Sequence, residues 1–177
     1  FTRARYDTHP DTEFQGVKLR RLPAIYTKHL EAISNTMIAI LHALRGYDIV
    51  HINATGPALL AFLPRMFGRK VVVTVHGLDW KREKWGRFAK VCLRLGAWAC
   101  AAFPHRTIVV SRTLESHYRA RFGRKVVYIP NGVTLPDPDA LRRSANPLGL
   151  AKGSYVLFLS RLVPEKGCHT LIAAFRK

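Results

Sequence analysis

Acidic side chains are scarce in this sequence. Its 11 Asp and Glu residues stand against 29 Lys and Arg residues, which leaves a formal net charge of +18 at pH 7. An excess of this size predicts an anionic partner, and nucleic acid, an anionic lipid surface and a phosphorylated substrate all meet that description. The charge alone does not choose among them.

Cysteine is also rare, with only Cys92, Cys100 and Cys168. An odd number leaves one thiol unpaired in any disulfide scheme, and the wide spacing is unlike that of metal ligands. We therefore expect structural thiols and a reducing, cytoplasmic environment rather than secretion.

Long apolar runs are missing too. No stretch reaches the roughly 18 residues that a membrane-spanning helix needs, and no signal peptide is visible. Hydrophobic residues still make up 48% of the 177 positions, which is enough for a sizeable core. We expect a globular, soluble protein. Because the chain opens on Phe1 rather than Met, we expect its true beginning to lie upstream.

Short apolar strand patterns alternate with helical patterns along the chain. Predicted strands cover 17–22, 48–53, 71–75, 106–110 and 125–129, and predicted helices cover 29–45, 57–67, 86–102 and 111–122. This alternation is typical of an α/β fold with a doubly wound, Rossmann-like parallel sheet.

The amino-acid composition changes near the end of the chain. Residues 135–153 carry several Pro and Gly in a polar setting and are interpreted as a linker. A further strand at 155–160 and the start of a helix at 167–177 cannot bury a core by themselves. We predict a first domain at 1–134 that is incomplete at its start, a linker at 135–153 and a truncated second α/β domain from 154 to 177.

Polar residues follow the predicted strands, where open α/β sheets place their ligands. His76 comes directly after the strand at 71–75. Ser111 has a commoner role as a helix N-cap, and Asn131 one as a turn residue. For His51, exposure in a cleft and a structural role both remain open. The candidate cleft residues are His51, Gly77, Asp79, Ser111, Arg112 and Asn131.

Two cations, Arg161 and Lys166, lie between the predicted strand at 155–160 and the predicted helix after it. A guanidinium and an ammonium beside free backbone N–H groups at a helix start suit a diphosphate. A solvated basic turn is the alternative.

Four segments resemble one enzyme family in order and spacing. They are VVVTVHG from Val71, IVVSRTLESHYRARFG from Ile108, VYIPNGV from Val127 and VLFLSRLVPEKG from Val156. Together they are similar to retaining family-4 glycosyltransferases of the GT-B fold, over residue 17 to the end of the chain. The segment WKREKW from Trp80 resembles a bacterial, rhamnosyltransferase-like subset.

The resemblance implies roles for individual residues. His76 would face the transferred sugar, and Arg161 and Lys166 would hold the donor diphosphate on a nucleotide-sugar-binding domain that begins at 154. The leaving phosphate would take the acceptor's proton, so no protein base, metal or cofactor is expected. The family's glycine-rich first loop and its C-terminal pair of glutamates lie outside this sequence, so we expect the fragment alone to be inactive.

Basic residues recur at helical spacing after the strand at 71–75, beside a second, apolar stripe. An aromatic-edged basic surface is typical of proteins that bind anionic lipid, although an ordinary solvated helix face is the alternative. The candidate membrane or acceptor face is Trp80, Lys81, Lys84, Trp85, Arg87, Lys90 and Arg94, and the apolar stripe is Phe88, Val91, Leu95 and Trp98.

The leading hypothesis is therefore transfer of a sugar from a nucleotide-sugar to a sugar or lipid-linked acceptor, in assembly of bacterial cell-surface polysaccharide or glycolipid. Such an enzyme would be cytoplasmic, with peripheral attachment to the inner face of the membrane. A basic nucleic-acid-binding module is one alternative, but no helix-turn-helix, zinc-ligand or RNA-binding sheet motif is present, and no nucleic acid is expected. Another is a GT-B-fold enzyme such as an epimerase.

Overall fold

A computed structural model describes residues 1–7, 12–27, 30–83, 85–124, 126–135, 137, 149–151 and 153–176. The chain forms two compact units, 1–131 and 132–177, and each is described by itself. The candidate Lys84 and most of the predicted linker at 135–153 lie outside the described residues. The predicted domain boundaries stay a prediction.

Among the described residues 1–7 and 12–27, the first unit has four two-residue strands. Strand β1 (Thr2–Arg3) pairs in parallel with β4 (Arg21–Leu22), while β2 (Glu13–Phe14) and β3 (Val17–Lys18) form an antiparallel pair. The single strand predicted at 17–22 is thus two short strands in different sheets. Its first part belongs to a tight hairpin, because Gln15 and Gly16 adopt positive φ angles of 50° and 80° that reverse the chain.

A parallel four-stranded sheet forms the core of the first unit and confirms the predicted α/β class. Its strands, β5 (Ile49–Asn53), β6 (Lys70–Val75), β7 (Arg106–Val109) and β8 (Val127–Tyr128), lie side by side in chain order. In β6, Val71, Val73 and Val75 are fully buried. A run that is apolar on both faces is what a helix-covered parallel strand requires.

The described part of this unit contains four helices: α1 (Glu31–Ala43), α2 (Phe62–Met66), α3 (Arg87–Ala102) and α4 (Arg112–Phe122). The limits of α4 are set by its caps. Ser111 Oγ accepts a hydrogen bond from the Leu114 N–H at 3.2 Å, and Gly123 ends the helix with a φ of 60°. The Ser111 cap was predicted from the sequence, and α4 ends at residue 122 as predicted.

Helix α3 packs against the core with its smallest residues. Gly96, Ala97 and the segment 99–101 are buried. A Cβ added to Gly96 would lie 2.3 Å from the Thr55 carbonyl oxygen, so only glycine permits this approach of the helix to the loop after β5. The apolar stripe of α3 lies on another side and remains exposed.

The second unit contains a 3₁₀ turn, Pro164–Lys166, and helix α5 (Cys168–Phe175). The strand predicted at 155–160 is wrong, because these residues join no sheet. Leu157 and Leu159 are 73% and 90% exposed. An apolar run becomes a strand only when a second strand completes its backbone hydrogen bonds, and the described part of this unit contains none.

Candidate functional site

The carboxyl ends of three neighbouring strands bring the predicted site residues of the first unit to one edge of the sheet. Val75 of β6 pairs with Val109 of β7, which pairs with Tyr128 of β8. His76 follows Val75 directly, and Ser111 and Asn131 come two and three residues after the other two strands. The edge predicted from the sequence therefore exists, and its backbone register aligns these positions.

His76 is exposed at this edge. Its imidazole forms no hydrogen bond or ion pair with any other residue that the structure describes. The position of Gly77 is equally open, since a Cβ added there would meet nothing within 4 Å. An unengaged imidazole beside an uncrowded backbone is an arrangement that a ligand can approach closely.

His51 has a protein partner. Its Nε2 lies 2.7 Å from Oγ1 of Thr74 on the neighbouring strand β6, and this bond satisfies a hydroxyl that is only 6% exposed. His51 and Asn53 also line a cavity of about 420 Å³ beside β5, together with Arg3 and Asn35. The histidine thus combines a structural bond with access to a cavity, and its exposure in the predicted cleft stays a prediction.

Asp79 and Trp80 are engaged within the first unit rather than free at the edge. An Asp79 carboxylate oxygen lies 3.5 Å from Nε of Arg82, across a 3₁₀ turn that spans Asp79–Lys81. The ring of Trp80 packs on the ring of His117 in α4, with centroids 5.8 Å apart. These contacts fold the start of the loop after β6 against α4.

Ser111 and Arg112 lie at the start of α4 and make contacts there. Beyond the cap described above, the Arg112 guanidinium lies 4.2 Å from the centre of the Tyr128 ring and 2.8 Å from a Glu115 carboxylate oxygen. The Arg112 side chain is nevertheless 73% exposed. Ser111 therefore has the structural role expected of an N-cap, while Arg112 and the exposed Asn131 stand at the rim of the edge.

Of the candidate membrane or acceptor face, Arg87, Lys90 and Arg94 lie on α3, and Trp80, Lys81 and Trp85 precede this helix. The apolar stripe beside it faces solvent. Phe88 is 83% exposed, and Val91, Leu95 and Trp98 are each about half exposed. Arg87 and Arg94 are exposed on the same helix, and Lys90 is partly buried. Within the described residues, no helix is long and apolar enough to cross a membrane.

In the second unit, Arg161 and Lys166 are both exposed. Lys166 ends the 3₁₀ turn and immediately precedes Gly167, whose φ of 70° leads into α5. The start of α5 has no side-chain cap among the described residues. Free backbone N–H groups therefore lie next to Lys166 in the chain. That Arg161 and Lys166 bind a diphosphate stays a prediction.

Cys100, Tyr118 and His105 have shifted pKa values. Burial raises the pKa of the Cys100 thiol to about 12 and also raises that of Tyr118. At the end of the sheet opposite the carboxyl edge, His105 Nδ1 accepts a hydrogen bond from the Val71 N–H. The pKa of His105 is lowered, mainly by its partial burial and secondly by the positive charge of Arg65. All three cysteines are described and are free thiols, as expected.

Some engaged residues were missed by sequence reasoning. Thr74 interrupts an otherwise all-valine run in β6, and this polar break is the signal that could have identified it as a partner for a neighbouring strand. His117 offered no comparable signal, because its contact with Trp80 joins two separate elements.

Comparison with known proteins identifies one matching family and one similar enzyme. The family model described as Glycosyltransferase Family 4 matches residues 1–136. A "GDP-mannose-dependent alpha-(1-6)-phosphatidylinositol monomannoside mannosyltransferase" from Mycolicibacterium smegmatis (strain ATCC 700084 / mc(2)155) is 35% identical over 137 residues, which cover 72% of this chain and 34% of that relative. The chain thus spans about a third of the length of the curated relative it matches.

Proposed function

This chain belongs to glycosyltransferase family 4, and we propose that its protein transfers a sugar from a nucleotide-sugar donor to an acceptor, with retention at the anomeric carbon. The observation that carries the proposal is the exposed, unengaged His76 beside the open backbone of Gly77, at the carboxyl edge of a parallel sheet. This is where open α/β sheets bind their ligands.

In the proposed reaction, His76 hydrogen-bonds the transferred sugar or the reacting phosphate. Arg161 and Lys166 hold the donor diphosphate and stabilise the negative charge that builds on it as the glycosidic bond breaks. The leaving phosphate takes the acceptor's proton, so the reaction needs no protein base, metal or other cofactor.

The name of the similar mannosyltransferase supports a more specific proposal for the donor and the acceptor. We infer a hexosyl donor such as GDP-mannose and a lipid-linked acceptor, which would place the reaction in glycolipid or cell-surface polysaccharide assembly. A rhamnosyl donor, suggested by the segment from Trp80, stays a second candidate.

Peripheral attachment to the cytoplasmic face of a membrane is part of this proposal. Its support is the surface of α3, where the exposed apolar side chains of Phe88 and Leu95 lie on the same helix as the exposed cations Arg87 and Arg94. Interfacial proteins combine these two features to bind anionic lipid. A lipid-linked acceptor would then be presented directly to the enzyme.

The test incubates the full-length protein with radiolabelled GDP-mannose or a rhamnosyl nucleotide and a membrane lipid extract, and measures label in lipid, in free sugar and in isomerised donor. We expect label in lipid. His76→Ala should lower the rate by about 10²- to 10³-fold, as loss of a transition-state hydrogen bond does. The matched control is His42→Ala, which removes an exposed imidazole of α1.

Two results would contradict the proposal. Isomerised donor without transfer would favour an epimerase. Salt-sensitive binding to nucleic acid with no transfer, release of free sugar or isomerisation would favour a nucleic-acid-binding module.

A further inference from the structure

A second concave site lies between α3 and α4. It is a cavity of about 550 Å³ whose walls include Trp80, Arg94, Trp98, His117, Arg121 and Phe122. None of the candidate cleft residues at the carboxyl edge lines it. This α3–α4 pocket is therefore a separate feature of the first unit.

The charges of the pocket all have one sign. Arg94 and Arg121 are exposed, and neither guanidinium forms an ion pair with a carboxylate of the described chain. None of the described residues that line the cavity is acidic. Two unpaired guanidiniums that flank one cavity form a preferred site for a phosphate group, whose oxygens they bind in a bidentate manner.

An imidazole adds a third polar group. Nε2 of His117 is shielded from solvent and has no hydrogen-bond partner within the described residues, although buried polar atoms in proteins almost always have one. The ring itself is held in place by Trp80 on one side and Phe122 on another, with centroid distances of 5.8 and 6.4 Å. Trp80, His117 and Phe122 therefore form a packed aromatic wall of the pocket.

The apolar surroundings distinguish a lipid phosphate from a free one. Trp98 lines the pocket and also ends the exposed apolar stripe of α3, which starts at Phe88. A free phosphate would gain nothing from an exposed apolar stripe that leads to its site. A phospholipid can place its phosphate between the two arginines while its acyl chains contact the stripe.

We propose that the α3–α4 pocket binds the phosphate headgroup of an anionic phospholipid, with Arg94 and Arg121 as the phosphate ligands and the aromatic rings as its walls. The proposal rests on the membrane contact proposed above and identifies its ligand. It does not depend on sugar transfer: headgroup binding without transfer would refute the proposed reaction and leave this pocket intact.

The experiment measures sedimentation of the protein with phosphatidylcholine vesicles that contain or lack phosphatidylglycerol, at one fixed salt concentration. We expect binding only to the vesicles that contain phosphatidylglycerol. Arg94→Gln and Arg121→Gln should each weaken it about tenfold, because each removes a direct ligand as well as a surface charge. Arg45→Gln is the matched control: it removes one charge from an exposed arginine outside the pocket and should change binding less than about twofold.

Circular dichroism of every variant confirms that it is folded before it is compared. Equal losses in Arg45→Gln and Arg121→Gln would show that net charge alone drives binding, and would overturn the proposal. So would equal binding to neutral vesicles. Saturation by inorganic phosphate as tight as that by phosphatidylglycerol vesicles would assign the pocket to a free anion instead, and arginine-dependent binding of single-stranded DNA with no vesicle binding would assign it to nucleic acid.

Discussion

The contact between Gly96 and the loop after β5 makes Gly96→Ala a sharp test of the packing. An alanine Cβ would lie 2.3 Å from the Thr55 carbonyl oxygen and 3.1 Å from its carbon, whereas ordinary contacts begin at 3.4 Å. The helix and the loop would have to separate by about 1.1 Å, the difference between 3.4 and 2.3 Å. The clashing atom belongs to the backbone, so no side-chain rotation can relieve the overlap.

Two effects of opposite sign decide the outcome. Alanine improves the intrinsic helix propensity of a central position by about 1 kcal/mol. Overpacking a tight contact costs about 1–3 kcal/mol, and a rigid backbone neighbour places this case at the upper end. We therefore expect a net loss of about 1–2 kcal/mol in the free energy of unfolding.

Urea unfolding followed by circular dichroism measures this loss, with Gly86→Ala as the control. Gly86 is the N-cap of the same helix, and a Cβ added there meets nothing within 4 Å, so its replacement avoids the clash and should cost only the loss of a favourable cap residue, about 0.5–1 kcal/mol. If Gly96→Ala were as stable as the unaltered protein, the close approach of α3 to Thr55 would be refuted.

Two further predictions concern buried polar groups. Thr74→Val removes the hydroxyl that bonds His51 and should cost about 1 kcal/mol in urea unfolding; the loss should disappear in a His51→Phe background, and an undiminished loss there would contradict the pairing. Burial raises the pKa of Cys100 from 9.0 to about 12, so the folded state keeps a proton that the unfolded chain releases. Stability should therefore be unaffected by this group below pH 9 and fall by about 1.4 kcal/mol per pH unit above it, until the folded-state pKa is passed. Cys100→Ala should flatten this slope between pH 9 and 10, and an unchanged slope would show that the thiol is not responsible.

Strands and caps whose signals are local were predicted well. The valine run of β6 and the Ser111 and Gly123 limits of α4 agree with the structure to within a residue, because each depends on the conformational preference of the residues themselves. The strand expected at 155–160 failed for the opposite reason. Its apolar residues favour an extended backbone, but the partner that makes such a segment a strand must come from elsewhere.

The orientation of α3 also depends on contacts that the sequence does not reveal. Spacing identified a basic stripe and an apolar stripe, and neither is the face that packs on the core. Gly96, Ala97 and Cys100 lie there, since small side chains allow the helix to approach the loop after β5, and Phe88 is left exposed. Periodicity finds the stripes of a helix, while the shape of the neighbouring surface decides which one is buried.

In the candidate site too, some positions could be predicted from the sequence and others could not. His76 and Gly77 could be placed from sequence, because the end of a buried parallel strand is a position that the fold class itself defines. The contacts of His51 with Thr74 and of Trp80 with His117 could not, since each joins two elements through side chains whose mutual position depends on the folded chain.

The loop after β6 links the two functional surfaces proposed for the first unit. It starts at the open backbone of Gly77, closes through the ion pair of Asp79 with Arg82, and places Trp80 in the wall of the α3–α4 pocket. The segment that supplies the sheet edge with His76 therefore also supplies an aromatic wall of the proposed phosphate site. A lipid that fills the pocket would contact Trp80, which lies three residues after Gly77. One short segment of backbone would therefore contact both the membrane lipid and the edge of the sheet where the proposed reaction takes place.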